Sequence, residues 1–150
     1  MKPLIVLLSG FLVSLLVLKL IGVGYDFAFA ARIAMSVMLI FTAIAHFAFT
    51  KGMVMMMPKF IPFKKGIVYL TGIIELSAAI GIELSNLRVQ TAWLLILFFV
   101  MILPANIKAA AGKIDYQKGS YDGNGLSYLW FRIPLQILFI LWTYVSTIRF

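Results

Sequence analysis

The sequence predicts an all-α membrane protein, an up-down four-helix bundle with one extra transmembrane helix at its amino terminus. Three observations predict it. The chain is 63% hydrophobic and 12% charged, with a mean hydropathy of +1.06, whereas a soluble domain is about 45–50% apolar and ~25% charged. Its apolar residues fall into five runs, each near the ~20 residues that a helix needs to cross a bilayer. Its lysines and arginines sit beside those runs, as the positive-inside rule requires of membrane proteins.

The runs are read in order as residues 3–21, 27–49, 66–84, 89–111 and 127–147 of a single transmembrane domain, residues 1–150. The first exceeds the ~7–15 apolar residues of a secretory signal, and no small-x-small cleavage site follows it. It is therefore read as an uncleaved extra helix over 3–21, with a cleaved signal as the other reading. Before Lys19 at its end its only polar side chains are Ser9 and Ser14, so it is expected at the edge of a four-helix core spanning 27–147.

Between the second and third runs, "KGMVMMMPKFIPFKK" (51–65) is too short and too proline-interrupted to span, and too apolar for water. It is expected to lie along the interface, as a surface or re-entrant segment. Alternatively its methionines line a ligand entrance, because Met adapts to varied shapes. "GKIDYQKGSYDGNG" (112–125) is the polar connection, ending in turn-forming Asp-Gly-Asn-Gly. It lacks the ligand pattern of a calcium loop.

Charge sets the orientation. With five spans, Lys2, Lys51, Lys59, Lys64, Lys65, Lys108, Lys113 and Lys118 share one side, against Lys19, Arg32, Arg88 and Arg149 on the other. The amino terminus is expected in the cytoplasm and the carboxyl terminus outside, across a cell (inner) membrane. The net charge of +8 follows from these flanks and forms no basic groove for nucleic acid. The absence of cysteine excludes thiolate catalysis and Cys-ligated metals.

Polar residues fall on helix faces. Arg32, Ser36, Ala43, His46 and Thr50 share a stripe in the second run. Thr71, Gly72, Glu75, Ala78 and Ala79 make a stripe of small residues around an acid in the third. Asn106 is alone in the fourth, and Arg132, Gln136 and Thr143 align in the fifth. Counting ~1.5 Å per residue from the inner ends places Glu75 near the midplane, level with Gln136. The same count puts His46, Asn106 and Arg132 further in, while Arg32 lies near the outer end and is expected to snorkel. Pro104 and Pro134 each lie within two residues of a strongly polar side chain; Pro104 frees the helical carbonyl of Val100, and Pro134 either frees that of Trp130 or marks the first turn of its helix.

A charge at the centre of a spanning helix costs about 2.5–3.5 kcal/mol on insertion scales. The expected arrangement pairs Glu75 with Arg132, with His46, Asn106 and Gln136 around them. Two readings follow. In one the pair fixes helix register only. In the other these five residues form a polar pocket for the head group of a lipophilic ligand such as a quinone, whose carbonyls suit His, Asn and Arg donors. A small proton-coupled transporter and a structural or assembly factor are further readings. No nucleophile–base motif, phosphate loop or metal signature identifies an enzyme; catalytic residues are unassigned, and no metal or other cofactor is assigned.

"RIAMSVMLIFTAIAHF", "YLTGIIELSAAIGI", "LFFVMILPANIKAA" and "LWFRIPLQI" together resemble the DoxX-like integral membrane family through their His-Phe, Gly-x-x-Glu, Pro-Ala-Asn and Arg-x-Pro-x-Gln elements. The resemblance implies a four-helix bacterial membrane protein associated with respiratory oxidoreductases or oxidative stress. It also implies His46, Glu75, Asn106 and Arg132 as the family's polar motif, and oxidoreductase subunits as partners. The extra first helix and the lack of cysteine depart from that pattern.

Overall fold

The computed structural model describes residues 2–150, and these are helical throughout apart from turns and connections. The chain enters α1 (Lys2–Leu20) and leaves it through a Schellman motif. In that turn Gly22 takes φ +80°, Val23 N–H reaches the Leu18 carbonyl at 3.1 Å, and Gly22 N–H reaches Lys19 at 3.2 Å. The left-handed conformation is cheap for glycine, which has no Cβ. α2 (Phe27–Ala48) then starts on Asp26, whose side chain accepts from the Phe29 N–H at 2.9 Å, a standard N-cap.

α2 ends at Phe49, and a short helix α3 (Thr50–Met56) turns off it. α4 (Lys64–Gly81) follows a stretch containing Pro58 and Pro62. The fourth apolar run is two helices, α5 (Arg88–Met101) and α6 (Leu103–Ala111), parted at Ile102. Pro104 in the first turn of α6 has no N–H for the Val100 carbonyl, which is the physical reason for the break. A 3₁₀ turn (Leu126–Tyr128) leads into α7 (Leu129–Thr143), which contains Pro134, and a wide π turn (Tyr144–Arg149) closes the chain.

Among the described residues four helical segments are long and apolar enough to cross a membrane: Lys2–Leu20, Phe27–Ala48, Arg88–Ala111 and Leu126–Arg149. The expected third span forms as α4, but it carries Lys64, Lys65 and Glu75 and is less apolar.

α2 is the central element, packed on α1 along one side and on α4 along another. α5 and α6 pack on α7. The core joins Leu7 of α1, Met35, Met38 and Leu39 of α2, Ala78, Ala79 and Ile82 from α4 and its end, Leu95 and Phe99 of α5, and Leu135 and Phe139 of α7. α1 stands at the edge, as its sequence suggests, yet it seats closely: Leu7, Ser14 and Leu18 are buried. A Cβ added at Gly10 would lie 3.4 Å from Ala34 Cα. Outward faces carry exposed leucine, isoleucine and phenylalanine, including Leu12, Leu16, Ile40, Ile44, Ile73, Leu94, Leu97 and Leu141. A soluble monomer rarely shows so continuous an apolar surface.

Candidate functional site

His46 stands in the last turn of α2, Glu75 in the middle of α4, Asn106 in the second turn of α6, and Arg132 and Gln136 one turn apart in α7. All five line one cavity of about 690 Å³. The convergence expected from helix faces and depth is found. The pairing within it is different.

Glu75 does not pair with Arg132. Its nearest charged-group partner is His46, whose Nε2 lies 3.5 Å from Glu75 Oε1, and among the described residues no lysine or arginine is within ion-pair distance of the carboxylate. Arg132 instead donates from Nη2 to Asn106 Oδ1 at 2.8 Å. His46 is oriented from its other ring nitrogen: Nδ1 lies 2.9 Å from Thr71 Oγ1, and that hydroxyl donates to the Val68 carbonyl at 2.8 Å. A hydroxyl has one proton. With that proton given to Val68, His46 Nδ1–H is the donor and Nε2 is turned to the acid. A proton on either Nε2 or Oε1 then closes the 3.5 Å contact.

Gln136 makes no hydrogen bond with the acid. Its Nε2 donates to the Phe99 carbonyl at 2.6 Å, just before the break at Ile102. The side chain thus supplies a donor where the helix is interrupted, as irregular backbone in apolar surroundings requires.

Two atoms of this group have no partner. Glu75 Oε2 and Asn106 Nδ2 are buried without a hydrogen bond, and their residues are each 5% exposed. Buried polar atoms are paired in the great majority of cases, and each exception calls for an explanation. Here both residues face the cavity.

Met53, Met56 and Met57 also line that cavity, so the methionine run forms part of its wall. The segment is held from two sides. Lys108 Nζ donates to the carbonyls of Met55, at 3.3 Å, and Met57. Gly52 is buried against the backbone of Tyr116, where an added Cβ would collide with the carbonyl group. Sequence reasoning counts Lys108 only as a flanking charge and leaves Tyr116 within the polar connection. Their partners are main-chain atoms distant in sequence, and no side-chain pattern announces those.

Arg32 does not snorkel. It is 7% exposed, and its Nη1 donates to the Ser146 carbonyl in the π turn at 3.0 Å, leaving Nε buried and unpartnered. Nearby Ser36 Oγ lies 2.8 Å from Glu83 Oε1. A second cavity of about 630 Å³ on that side, between Phe11, Phe27 and Trp142, has little polar lining beyond Ser146. The chemistry is concentrated in the first cavity. Among the described residues no three His, Asp or Glu side chains converge to hold a metal ion.

The profile of a domain of unknown function, DUF8561, matches residues 35–147, and the chain belongs to that family. The match corrects the resemblance to the DoxX-like family, because it spans nearly all of the segments that carried it. The elements behind that resemblance are short. A small residue one turn before an acid, or a proline beside an amide, is what closely packed apolar helices around any polar cluster use, so they do not mark one family. No curated protein and no solved structure matches the chain.

Proposed function

We propose that this protein is a multi-pass membrane protein that holds a lipophilic small molecule by its head group in the cavity between α2, α4, α6 and α7. A quinone-like molecule is the ligand class considered first. The observation that carries the reading is the pair of unpartnered buried atoms, Glu75 Oε2 and Asn106 Nδ2, facing a cavity of about 690 Å³. Ligand cavities run from ~300 to 1,000 Å³, with apolar walls and a few convergent polar groups. Met38, Met53, Phe98, Phe99 and Phe139 supply such walls here.

A cluster that served packing alone would be expected to satisfy its own members, since an unmatched buried polar group costs roughly 1–3 kcal/mol. Ionisable groups within apolar helices are functional by default. The membrane setting is supported by the four apolar segments and by the exposed apolar faces. With α4 taken as a fifth span, the lysine distribution supports an amino terminus on the cytoplasmic side.

The test is purification in mild detergent, followed by mass spectrometry of an organic extract. Wild-type protein retains a stoichiometric lipophile, and folded Glu75→Gln or Arg132→Ala protein loses most of it. Wild-type protein free of any such molecule would sink the proposal.

A further inference from the structure

The two unpartnered atoms ask for different things from a ligand. Asn106 Nδ2 is a donor only and needs an acceptor. Glu75 Oε2 is an acceptor whether the acid is ionised or its proton sits on Oε1 against His46 Nε2, 3.5 Å away. It therefore needs a donor, which a ligand bearing only carbonyl oxygens cannot offer. No protein donor reaches it: Oε2 has no hydrogen-bond partner, and among the described residues no lysine or arginine lies within ion-pair distance of the carboxylate. The titratable groups lining the cavity are His46 from α2, Glu75 from α4, Tyr116 from the polar connection and Arg132 from α7.

We infer that the cavity selects a hydroxyl-bearing ring, such as a hydroquinone or alkylphenol, over its carbonyl-only counterpart. The hydroxyl gives its proton to Glu75 Oε2, and a ring or hydroxyl oxygen accepts from Asn106 Nδ2. The ring lies among phenylalanine and methionine side chains, which suit an aromatic face. The inference rests on the proposed ligand cavity and names the chemical form that it takes.

The probes are a short-chain alkyl hydroquinone and the matching alkyl quinone, titrated anaerobically into delipidated full-length protein and read by tryptophan fluorescence. A site built around a ligand hydroxyl discriminates strongly against the analogue that lacks it, so wild-type protein binds the hydroquinone at least about tenfold more tightly. Glu75→Gln, whose amide can turn an N–H to the ligand, reduces the preference below about threefold or reverses it. Equal affinity of wild type for the two forms, or tighter quinone binding, overturns the inference and leaves the cavity proposal standing. A preference unchanged in folded Glu75→Gln overturns the assignment to Glu75. Failure of both probes to bind overturns the cavity proposal for this ligand class, and the inference with it.

Discussion

Replacing Gln136 by leucine tests whether a side chain completes the broken helix. Gln136 is 6% exposed and its Nε2 donates to the Phe99 carbonyl at 2.6 Å. Leucine nearly keeps the volume and removes the donor. A buried carbonyl left alone costs roughly 1–3 kcal/mol. Interhelical hydrogen bonds in membranes average nearer 0.6, with a maximum of about 1.7 kcal/mol, because the unfolded chain also finds partners. The second range governs here, raised towards its top by the short contact and the adjacent break, so about 1–1.5 kcal/mol is expected. At ~2–4 °C per kcal/mol for a chain of this size, that is a fall of roughly 2–6 °C in Tm. Thermal unfolding in one detergent, followed by circular dichroism, measures it. Gln136→Glu supplies the control: its carboxyl can donate to Phe99 only while protonated, so its loss is smallest at acid pH and grows as pH rises. An unchanged or higher Tm for Gln136→Leu would mean that the Phe99 carbonyl does not depend on this donor, and the account of the break would fail.

Three further outcomes are expected. Gly52→Ala drives a methyl into the main-chain carbonyl of Tyr116, which cannot turn aside as a flexible side chain could. It should therefore undock α3 and make residues 113–125 markedly more sensitive to limited proteolysis; an unchanged digestion pattern refutes the contact. Asp122 ionises below its ordinary range, chiefly because the Ser120 hydroxyl donates to it and secondarily through Lys118. The lowered value belongs to the folded loop, so its contribution is complete above the ordinary aspartate range and is lost as pH falls through that lower value. Ser120→Ala should raise the Asp122 titration midpoint seen by NMR, and no movement would discount the hydrogen bond. Because the chain has no cysteine, single cysteines at Lys118 and Lys19 can be labelled in intact cells. Only the Lys19 site should react with an impermeant maleimide, and labelling at Lys118 reverses the proposed orientation.

Helix extents are legible in the apolar lengths, which are those of membrane-crossing segments. Pro104 announced the freed carbonyl of Val100, though not that the chain would divide at Ile102 or that Gln136 would serve Phe99 one residue earlier. Arg32 was misplaced for a general reason: position near a helix end says nothing about which way the side chain turns. Its destination, the Ser146 carbonyl, belongs to a π turn that no local pattern signals.

The partner of Glu75 is the instructive case, because the sequence held the information against the expected pairing. Counting residues along each helix put Arg132 about one turn further from the midplane than Gln136, which is level with Glu75. A Glu75–Arg132 pair weights opposite charge above depth. Depth accounts for only half of the outcome: Arg132 meets Asn106, at its own level, but the acid's partner is His46, which the same count also puts further in, and not Gln136, which is level with it. What brings α2 within reach is Gly72, one turn before Glu75. A Cβ there would lie 3.0 Å from His46 Cβ and 3.0 Å from Phe47 Cε2, so the missing methyl lets the two helices approach at the histidine. Thr71 beside it then fixes the ring through Nδ1. The segment "TGIIE" thus carries the orienting hydroxyl, the gap and the acid in order. Small residues at a helix seam mark where the partner comes closest, and in this chain they identify the partner more reliably than charge does.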